Sequence, residues 1–261
     1  MSARTPVTFV IAVNDRGLLE RNFLMSPCLR DLDSHEIIIQ ENFTSAASAY
    51  NDAIDRAAND LIIFCHQDIL LPKAWLAQLQ AALDYLGVLD PHWGVLGSYG
   101  KTQDGRGWGY VYSSGRDVIG EPLQEPVAVQ TLDEIVLILR KSSGLRFDQS
   151  LPHFHFYGAD ICLRAAKRGM KSYAISTFCI HNTHQTLVLP REFYECCRHI
   201  KQVWKEYLPI QTTCIRVTRL NYQVYSRQLR ECYLRYIRRK EYGGTRVHDT
   251  LSLLEQFATR A

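Results

Sequence analysis

The sequence lacks long hydrophobic runs, paired cysteine motifs and internal repeats. No apolar run in its 261 residues reaches the length of a bilayer-spanning helix, so we expect no transmembrane segment. The short apolar run near the N-terminus has no small-residue cleavage site and predicts a core strand, not a signal peptide. With 46% hydrophobic and 22% charged residues, the composition is that of an ordinary soluble globular protein.

Several motifs of known chemistry are also missing. The eight cysteines form no CxxC pair and no zinc-ribbon spacing, which is typical of reduced, buried thiols and predicts a cytoplasmic protein. There is no GxSxG elbow, no GxxxxGK[ST] phosphate loop and no GxGxxG turn after the first strand. A phosphate-bearing ligand would therefore be held by a metal and by scattered donors.

The net charge of +3 hides an uneven distribution. From Arg191 to Glu241 there are twelve lysines and arginines against five acidic residues. This basic region favours an anionic partner, either a lipid surface or a phosphate-bearing acceptor, and we expect no nucleic-acid partner. A solvated helix surface is the alternative explanation.

Apolar strand patterns alternate with helical patterns in the first half of the chain. Predicted strands are Val7–Val13, His35–Glu41, Leu61–Cys65 and Trp93–Tyr99, and predicted helices are Ser45–Ala58 and Pro72–Leu86. This alternation predicts an α/β fold with a mainly parallel central sheet flanked by helices. In such a sheet, ligands bind outside the carboxyl ends of the strands.

The second half predicts further strands, a loop and a helical extension. The glycine-rich stretch Gly100–Pro122 predicts a hairpin or a mobile loop. Helical patterns start at Arg191 and recur at Val224–Arg239 and Leu251–Ala258. We therefore divide the chain into a catalytic domain, residues 1–190, and a basic C-terminal helical extension, residues 191–261.

The stretch "LIIFCHQDILLP" ends a buried strand with His66 and Asp68. On an extended segment, residues i and i+2 point to the same side, so this imidazole and carboxylate can share one divalent metal. His181 and His184 follow another apolar strand, and either could supply a third ligand. The alternative is a His–Asp hydrogen bond that closes the strand end.

These motifs together resemble a family 2-type glycosyltransferase with the GT-A fold. The resemblance runs from Val7 to Thr186. It rests on the segments "VTFVIAVND", "EIIIQEN", "AYNDAIDRAANDLIIFCHQDILL", "DICLRAAKRGMKSYAI" and "FCIHNTH". Here "HQD" takes the place of the family's DxD motif, and Asp68 is the aspartate that remains.

The resemblance implies a nucleotide-sugar site and a metal site. The base and ribose would lie near Val13, Asn14, Glu41 and Asn51. Asp68 would hold Mn²⁺ or Mg²⁺ at the diphosphate, and His181 would complete the metal site. His66 belongs to the donor site, as a second metal ligand, as a contact to the diphosphate, or as a residue that orients Asp68. Gly100–Pro122 would be a lid over the donor, with Trp108 and Tyr110 available for stacking.

The catalytic base is less clear from the resemblance. Asp160 is the candidate to accept the proton of the acceptor hydroxyl, and its alternative role is that of a carboxylate at a helix N-terminus. The family's acidic pair before this helix is replaced by Tyr157 and Gly158. Asp148 and Asp133 are the other candidates.

The implied function is a metal-dependent, inverting transfer of a sugar from a nucleotide-sugar, first of all a UDP-sugar, to an acceptor hydroxyl. The acceptor would be a saccharide or a lipid-linked molecule, the basic helices could contact a membrane, and an oligomer is possible. Two other functions remain open. One is a non-catalytic nucleotide-sugar binding domain. The other is an iron oxygenase with His66, Asp68 and His181 as its triad and Arg191 as co-substrate anchor.

Overall fold

The computed structural model describes residues 5–31 and 35–257 and has a seven-stranded mixed sheet at its centre. The strands are β1 Val7–Val13, β2 Glu36–Glu41, β3 Leu61–His66, β4 Ile69–Leu70, β5 Val95–Gly97, β6 Tyr99–Lys101, β7 Gly107–Ser113, β8 Asp117–Gly120, β9 Val127–Val129, β10 Thr131–Leu132, β11 Val136–Arg140, β12 Ser172–Ala174, β13 Cys179–His181, β14 Gln185–Thr186, β15 Ile210–Gln211, β16 Arg216–Val217 and β17 Tyr242–Gly244. The helices are α1 Arg16–Arg21, α2 Ala46–Arg56, α3 Trp75–Leu89, α4 Tyr157–Lys167, α5 Arg191–Val203, α6 Tyr222–Cys232 and α7 Thr250–Phe257. The α/β class predicted from the sequence is confirmed.

The central sheet has the order β2-β1-β3-β11-β5-β12-β9. The pairs β2–β1, β1–β3 and β5–β12 are parallel, whereas β3–β11, β11–β5 and β9–β12 are antiparallel. Parallel pairing is therefore less dominant than the sequence predicts, because the continuous apolar run of β11 fits either direction. The register of the parallel part pairs Val13 with Glu41 and Ala12 with His66, so the carboxyl ends of three strands meet at one edge.

Alternating side chains of the central strands pack into two hydrophobic cores, one on each face of the sheet. Ile62 and Phe64 of β3 pack with α2, α4 and α5, while Ile63 and Cys65 pack with α1 and α3 on the other face. All four side chains are completely buried. This two-residue period holds β3 in a fixed register, so the residues after it leave the core at the open edge.

The helix ends follow local chemistry. The Ser45 hydroxyl accepts a hydrogen bond from the Ser48 amide at 3.2 Å and caps α2, which lies within the predicted helix Ser45–Ala58. The helix predicted from Pro72 begins three residues later, at Trp75, after a turn closed by the Trp75 amide and the Pro72 carbonyl. Gly169 follows the C-terminal end of α4 and has a φ angle of +76°, a conformation that glycine adopts without strain.

A second sheet has the order β10-β6-β7-β13-β4, with β8 beside β7. Strand β7 pairs antiparallel with both β6 and β8, so the prediction of a hairpin in Gly100–Pro122 is confirmed. Tyr110 is buried against Phe178, with ring centroids 4.7 Å apart, and Trp108 lies under the Arg106 guanidinium. Neither ring lines the large cavity described below, and the stacking role of both stays a prediction.

The C-terminal part wraps around the sheets. Helix α5 packs its apolar face, including Phe193 and Ile200, into the core shared with α2 and α4. Helix α6 continues into a π-helical turn, Tyr233–Ile237, so the predicted helix Val224–Arg239 is confirmed in position. The predicted end of the last helix, Ala258, lies outside the described residues. The division of domains at residue 190 stays a prediction.

We find no helix in residues 5–31 and 35–257 with the length and hydropathy needed to span a bilayer.

Candidate functional site

His66, Asp68 and His181 form a compact cluster at the open edge of the central sheet. The turn after β3 carries Asp68, and the pairing of β13 with β4 places His181 opposite Ile69. His181 Nε2 lies 3.3 Å from Asp68 Oδ1 and 3.4 Å from His66 Nδ1. The ligand atoms of all three residues lie within 4.8 Å of one another, which suits a single divalent metal.

The three groups shift one another's protonation. Burial opposes ionisation of Asp68, but His181, His66 and Arg246 outweigh it, and the pKa of Asp68 is lowered. Burial likewise opposes the charge on His181, but the Asp68 carboxylate outweighs it and raises the pKa of His181. Burial and the neighbouring His181 lower the pKa of His66, which is therefore neutral at pH 7. A neutral imidazole is the form that binds a metal.

Neighbouring residues orient the cluster. The His66 ring is 3.0 Å from the Tyr157 hydroxyl through Nε2, which leaves Nδ1 directed at the cluster. Gln67 points away, as the sequence predicts. Its side-chain oxygen accepts hydrogen bonds from the Asn14 and Asp15 amides at 3.1 and 3.0 Å. The turn is thus fixed on both sides, so His66 and Asp68 are held in place before any ligand binds.

The residues predicted to bind the nucleotide fall into two groups. Val13, Asn14 and Glu41 lie together at the carboxyl ends of β1 and β2, where Glu41 pairs with Arg16 at 2.9 Å. Asn51 is different, because it is buried and its side chain exchanges hydrogen bonds with the backbone of Phe147. Val13, Asn14 and Glu41 therefore lie at the open edge of the sheet, whereas Asn51 is hydrogen-bonded to the backbone inside the protein.

Asp160 lies inside the core and away from the open edge. Its side chain is 0% exposed, and it accepts hydrogen bonds from Trp204 Nε1 and Arg164 Nε, both at 2.7 Å. Burial raises the pKa of Asp160, against the opposing effects of Arg164 and Trp204. Asp148 joins the same cluster, 2.6 Å from Arg164. Neither carboxylate lines the cavity described next, and the choice of Asp160 as the base stays a prediction.

A cavity of about 500 Å³ opens beside the histidines. Its walls come from the hairpin β6–β8, the segment before β11, the start of α4, and the segments after β13 and β15. The polar lining residues are His66, Lys101, Ser113, Arg116, Asp133, Glu134, His155, His181, Thr183, His184, Gln185, Thr186, Thr212 and Thr213. The volume lies in the range of small-molecule sites. His184 lines the cavity but stands outside the three-residue cluster.

Two adjacent carboxylates, Asp133 and Glu134, line this cavity. Glu134 Oε1 accepts a hydrogen bond from the Gly158 amide at 3.2 Å, at the N-terminus of α4. Burial and the nearby Asp133 raise the pKa of Glu134 to about 8, although the backbone amides of residues 156–158 oppose that shift. A carboxylate with a pKa near neutrality is suited to accept and release protons.

Gly158 makes room for this carboxylate. A Cβ atom at position 158 would lie 2.8 Å from the Leu132 carbonyl oxygen and 3.0 Å from Glu134 Cγ. Any larger residue would therefore displace Glu134 from the helix N-terminus. Tyr157 and Gly158 stand where the family that the sequence resembles has an acidic pair. In this chain the carboxylate beside them is that of Glu134, which comes from the segment before β11.

Arg246 reaches the cluster from the C-terminal part of the chain. Its Nη2 lies 3.5 Å from Asp68 Oδ2, and its Nε donates to the Asn182 carbonyl at 3.2 Å. The buried Asn182 side chain holds the segment by accepting from the Val247 amide and donating to the Val247 carbonyl, at 2.7 and 2.9 Å. A fixed guanidinium beside Asp68 suits an anionic ligand.

Sequence reasoning missed Glu134, Arg246 and the role of Tyr157. The sequence does contain a signal for Glu134, because this residue neighbours the candidate base Asp133 and precedes a buried strand. No local signal marks Arg246, since 178 residues separate it from Asp68.

The profile of a family described as "Glycosyltransferase like family" matches residues 8–195. The chain belongs to this family, as the resemblance implies. A Fuscovulum blasticum protein called "ATP synthase subunits region ORF 6" is 28% identical over 172 residues, covering 62% of this chain and 66% of that protein. The match thus spans slightly less than two thirds of that relative's length.

One solved structure, that of a mannosyltransferase, identifies the fold. The chain is similar to the mannosyltransferase PcManGT from Pyrobaculum calidifontis, solved in complex with GDP-Man and Mn²⁺, with a TM-score of 0.51 and 13% identity over 100% of this chain and 77% of that chain. GalNAc-T7, solved with UDP, GalNAc and Mn²⁺, has a TM-score of 0.49 and 11% identity over 80% of this chain and 50% of that chain. The fold is GT-A, which excludes the double-sheet barrel that the iron-oxygenase alternative requires.

Proposed function

We propose that this glycosyltransferase moves a sugar from a nucleotide-sugar to an acceptor hydroxyl with inversion at the anomeric carbon. The observation that carries the proposal is the position of the His66, Asp68 and His181 cluster beside a cavity that also contains Asp133 and Glu134. A cation site and a carboxylate base are the two components that such a transfer needs.

The cluster fits a divalent metal. Two imidazoles and one carboxylate favour Mn²⁺ over Mg²⁺ compared with a site made of carboxylates alone. When bound there, the metal would balance the negative charge of the departing nucleoside diphosphate. Val13, Asn14 and Glu41 lie at the neighbouring strand ends and would contact the nucleoside. Arg246 beside Asp68 would add a second positive charge near the diphosphate.

Glu134 is the base in this proposal. It lines the cavity, whereas Asp160, which is buried, and Asp148, which is half-buried, are both paired with Arg164. In its ionised form Glu134 would accept the acceptor's hydroxyl proton as the oxygen attacks the anomeric carbon from the face opposite the leaving group. Asp133 is the alternative base, and it would keep its neighbour's proton affinity high.

The substrates and the location are proposed more broadly. The donor is a nucleotide-sugar, with a UDP-sugar as the first compound to test and a GDP-sugar as the second, since PcManGT was solved with GDP-Man. The acceptor is a saccharide or a lipid-linked molecule. A cytoplasmic location is consistent with eight cysteines that are all free thiols in the described residues.

The experiment combines donor turnover with two variants. The protein is incubated with Mn²⁺ and a panel of UDP- and GDP-sugars, and released nucleoside diphosphate is measured. Asp68→Ala should abolish Mn²⁺-dependent donor binding in calorimetry, whereas Asp84→Ala on the exposed side of α3 should not change it. Glu134→Gln keeps the acceptor for the Gly158 amide, so donor binding should persist while transfer falls about 100-fold or more.

Three outcomes would contradict the proposal. Donor binding without any release of nucleoside diphosphate would indicate a binding domain without catalysis. Unchanged metal dependence in Asp68→Ala would mean that the metal site is elsewhere. Normal transfer by Glu134→Gln would exclude this residue as the base, and Asp133→Asn would then be the next variant.

A further inference from the structure

An exposed apolar stripe runs along α6 and the π-helical turn after it. The tyrosine stripe consists of Tyr222, Tyr225, Leu229, Tyr233, Tyr236 and Ile237. These side chains are between 51% and 75% exposed, and their spacing of three or four residues places them on one helix face. Globular proteins seldom leave so many large apolar side chains uncovered in one patch, which marks this face as an interaction surface.

The opposite face of the helix is held against the protein. The buried Glu231 carboxylate accepts hydrogen bonds from the Tyr194 hydroxyl at 2.7 Å and from Arg227 Nε at 2.9 Å, and Val224 packs on the core. Because the contact with Tyr194 of α5 and the packing of Val224 cross to other parts of the protein, they fix the rotation of the helix, and the tyrosine stripe faces outward as a consequence of the fold. It cannot turn inward without breaking a buried ionic hydrogen bond.

Unpaired cations surround the stripe. Arg230, Arg238, Arg239 and Lys240 are exposed, and none of them forms an ion pair with any part of residues 5–31 and 35–257. A helix with tyrosines and aliphatic residues on one face and arginines and lysines beside it has the composition of an interfacial membrane helix. The cations would meet lipid phosphates while the rings and the aliphatic side chains enter the headgroup layer.

We propose that the tyrosine stripe docks this enzyme on an anionic lipid surface. A second copy of the chain fits less well, because a two-fold contact through this face would bring the same four cations of each copy together. Single-stranded nucleic acid could stack its bases on the four tyrosines, but it would leave the aliphatic side chains of Leu229 and Ile237 uncovered, whereas a headgroup layer covers both.

The position of the stripe connects it to the cavity. The chain leaves the turn and forms β17, whose residues pair with Gln185 and Thr186, and both of these line the cavity. The ring of Tyr242 at the start of β17 lies 5.6 Å from that of His184. Docking would therefore hold the cavity rim near the lipid headgroups. On the basis of the proposed function, the acceptor hydroxyl belongs to a lipid-linked molecule.

The test uses the full chain and vesicles of defined composition. Co-sedimentation is measured with phosphatidylcholine alone and with phosphatidylcholine mixed with phosphatidylglycerol. We expect binding to the anionic vesicles only, with a decrease as salt is added. The double variant Leu229→Glu, Ile237→Glu and the double variant Arg238→Glu, Arg239→Glu should each weaken binding about tenfold or more. Val88→Glu, at a 90% exposed position on α3, is the matched control and should bind like the wild type.

Other results would overturn the inference. Equal binding to neutral and anionic vesicles, no binding to either, or normal binding by both double variants would each exclude an anionic lipid surface. So would a dimer that Leu229→Glu, Ile237→Glu dissociates, or homopolymeric RNA binding that the same variant abolishes. Hydrolysis of nucleotide-sugars without vesicles should match the wild type in all variants, so failure of docking is distinct from failure of the proposed transfer.

Discussion

Replacement of Asp160 separates a structural role from a catalytic one. The carboxylate is fully buried and satisfies both the Trp204 indole and the Arg164 guanidinium. Removing one partner of a buried ion pair costs about 3–5 kcal/mol. Arg164 is 32% exposed and keeps Asp148 as a partner, so we lower the expected loss for Asp160→Ala to roughly 2–4 kcal/mol. Asp160→Asn retains an acceptor for Trp204 and should lose roughly 1–3 kcal/mol.

Urea unfolding followed by fluorescence measures these losses. With a slope of about 2–3 kcal/mol per M, a loss of 3 kcal/mol lowers the midpoint by roughly 1 M. The folded Asp160→Asn protein should still transfer sugar, because the carboxylate does not line the cavity. Asp84→Ala, on the exposed side of α3, should stay within about 0.5 kcal/mol of the wild type. If Asp160→Asn unfolds at the wild-type midpoint but has no transferase activity, the structural role is wrong and Asp160 is the base after all.

Three further predictions concern the cavity and the arginine beside Asp68. The transfer rate should rise as the pH increases through about 8, because Glu134 with its raised pKa is protonated below that value, and a rate that falls over this range would argue against it. Gly158→Ala should displace Glu134 and lower transfer about tenfold or more while Mn²⁺ binding persists. Its control is Gly87→Ala, where a Cβ meets no atom within 4 Å, and equal activity of the two variants would contradict the packing argument. Arg246→Ala should weaken donor binding in calorimetry about tenfold or more, while the binding of Mn²⁺ without donor should not change. Arg246→Lys should recover part of the donor affinity, and the control Arg235→Ala should bind donor like the wild type.

The local part of the site could be predicted from the sequence. A buried strand that ends in His66 and Asp68 places both side chains on one side, and a histidine after a later apolar strand is a natural third ligand. The structure brings His181 there through the β13–β4 pairing, while His184 lies next to Tyr242. The choice between these two histidines depends on strand register, which residue types alone do not determine.

The rest depends on contacts between distant segments. Asp160 stands in the first turn of a helix, and the sequence does not tell whether that carboxylate faces the cavity or, as observed, Trp204 in α5 and its neighbours. Asn51 is a comparable case, because its amide binds the backbone of a segment 96 residues away. The direction of β11 is equally hidden, since a strand buried on both faces has no pattern that distinguishes parallel from antiparallel pairing.

The contact between Asp68 and Arg246 has a consequence for biosynthesis. Ribosomes add about 5–20 residues per second, so the 178 residues between these positions take roughly 10–40 s to make. During that interval the first sheet can form while its charged edge lacks the arginine. A nascent chain would thus contain His66, Asp68 and His181 before it contains Arg246, so the contact of Arg246 with Asp68 is the last part of this arrangement to form.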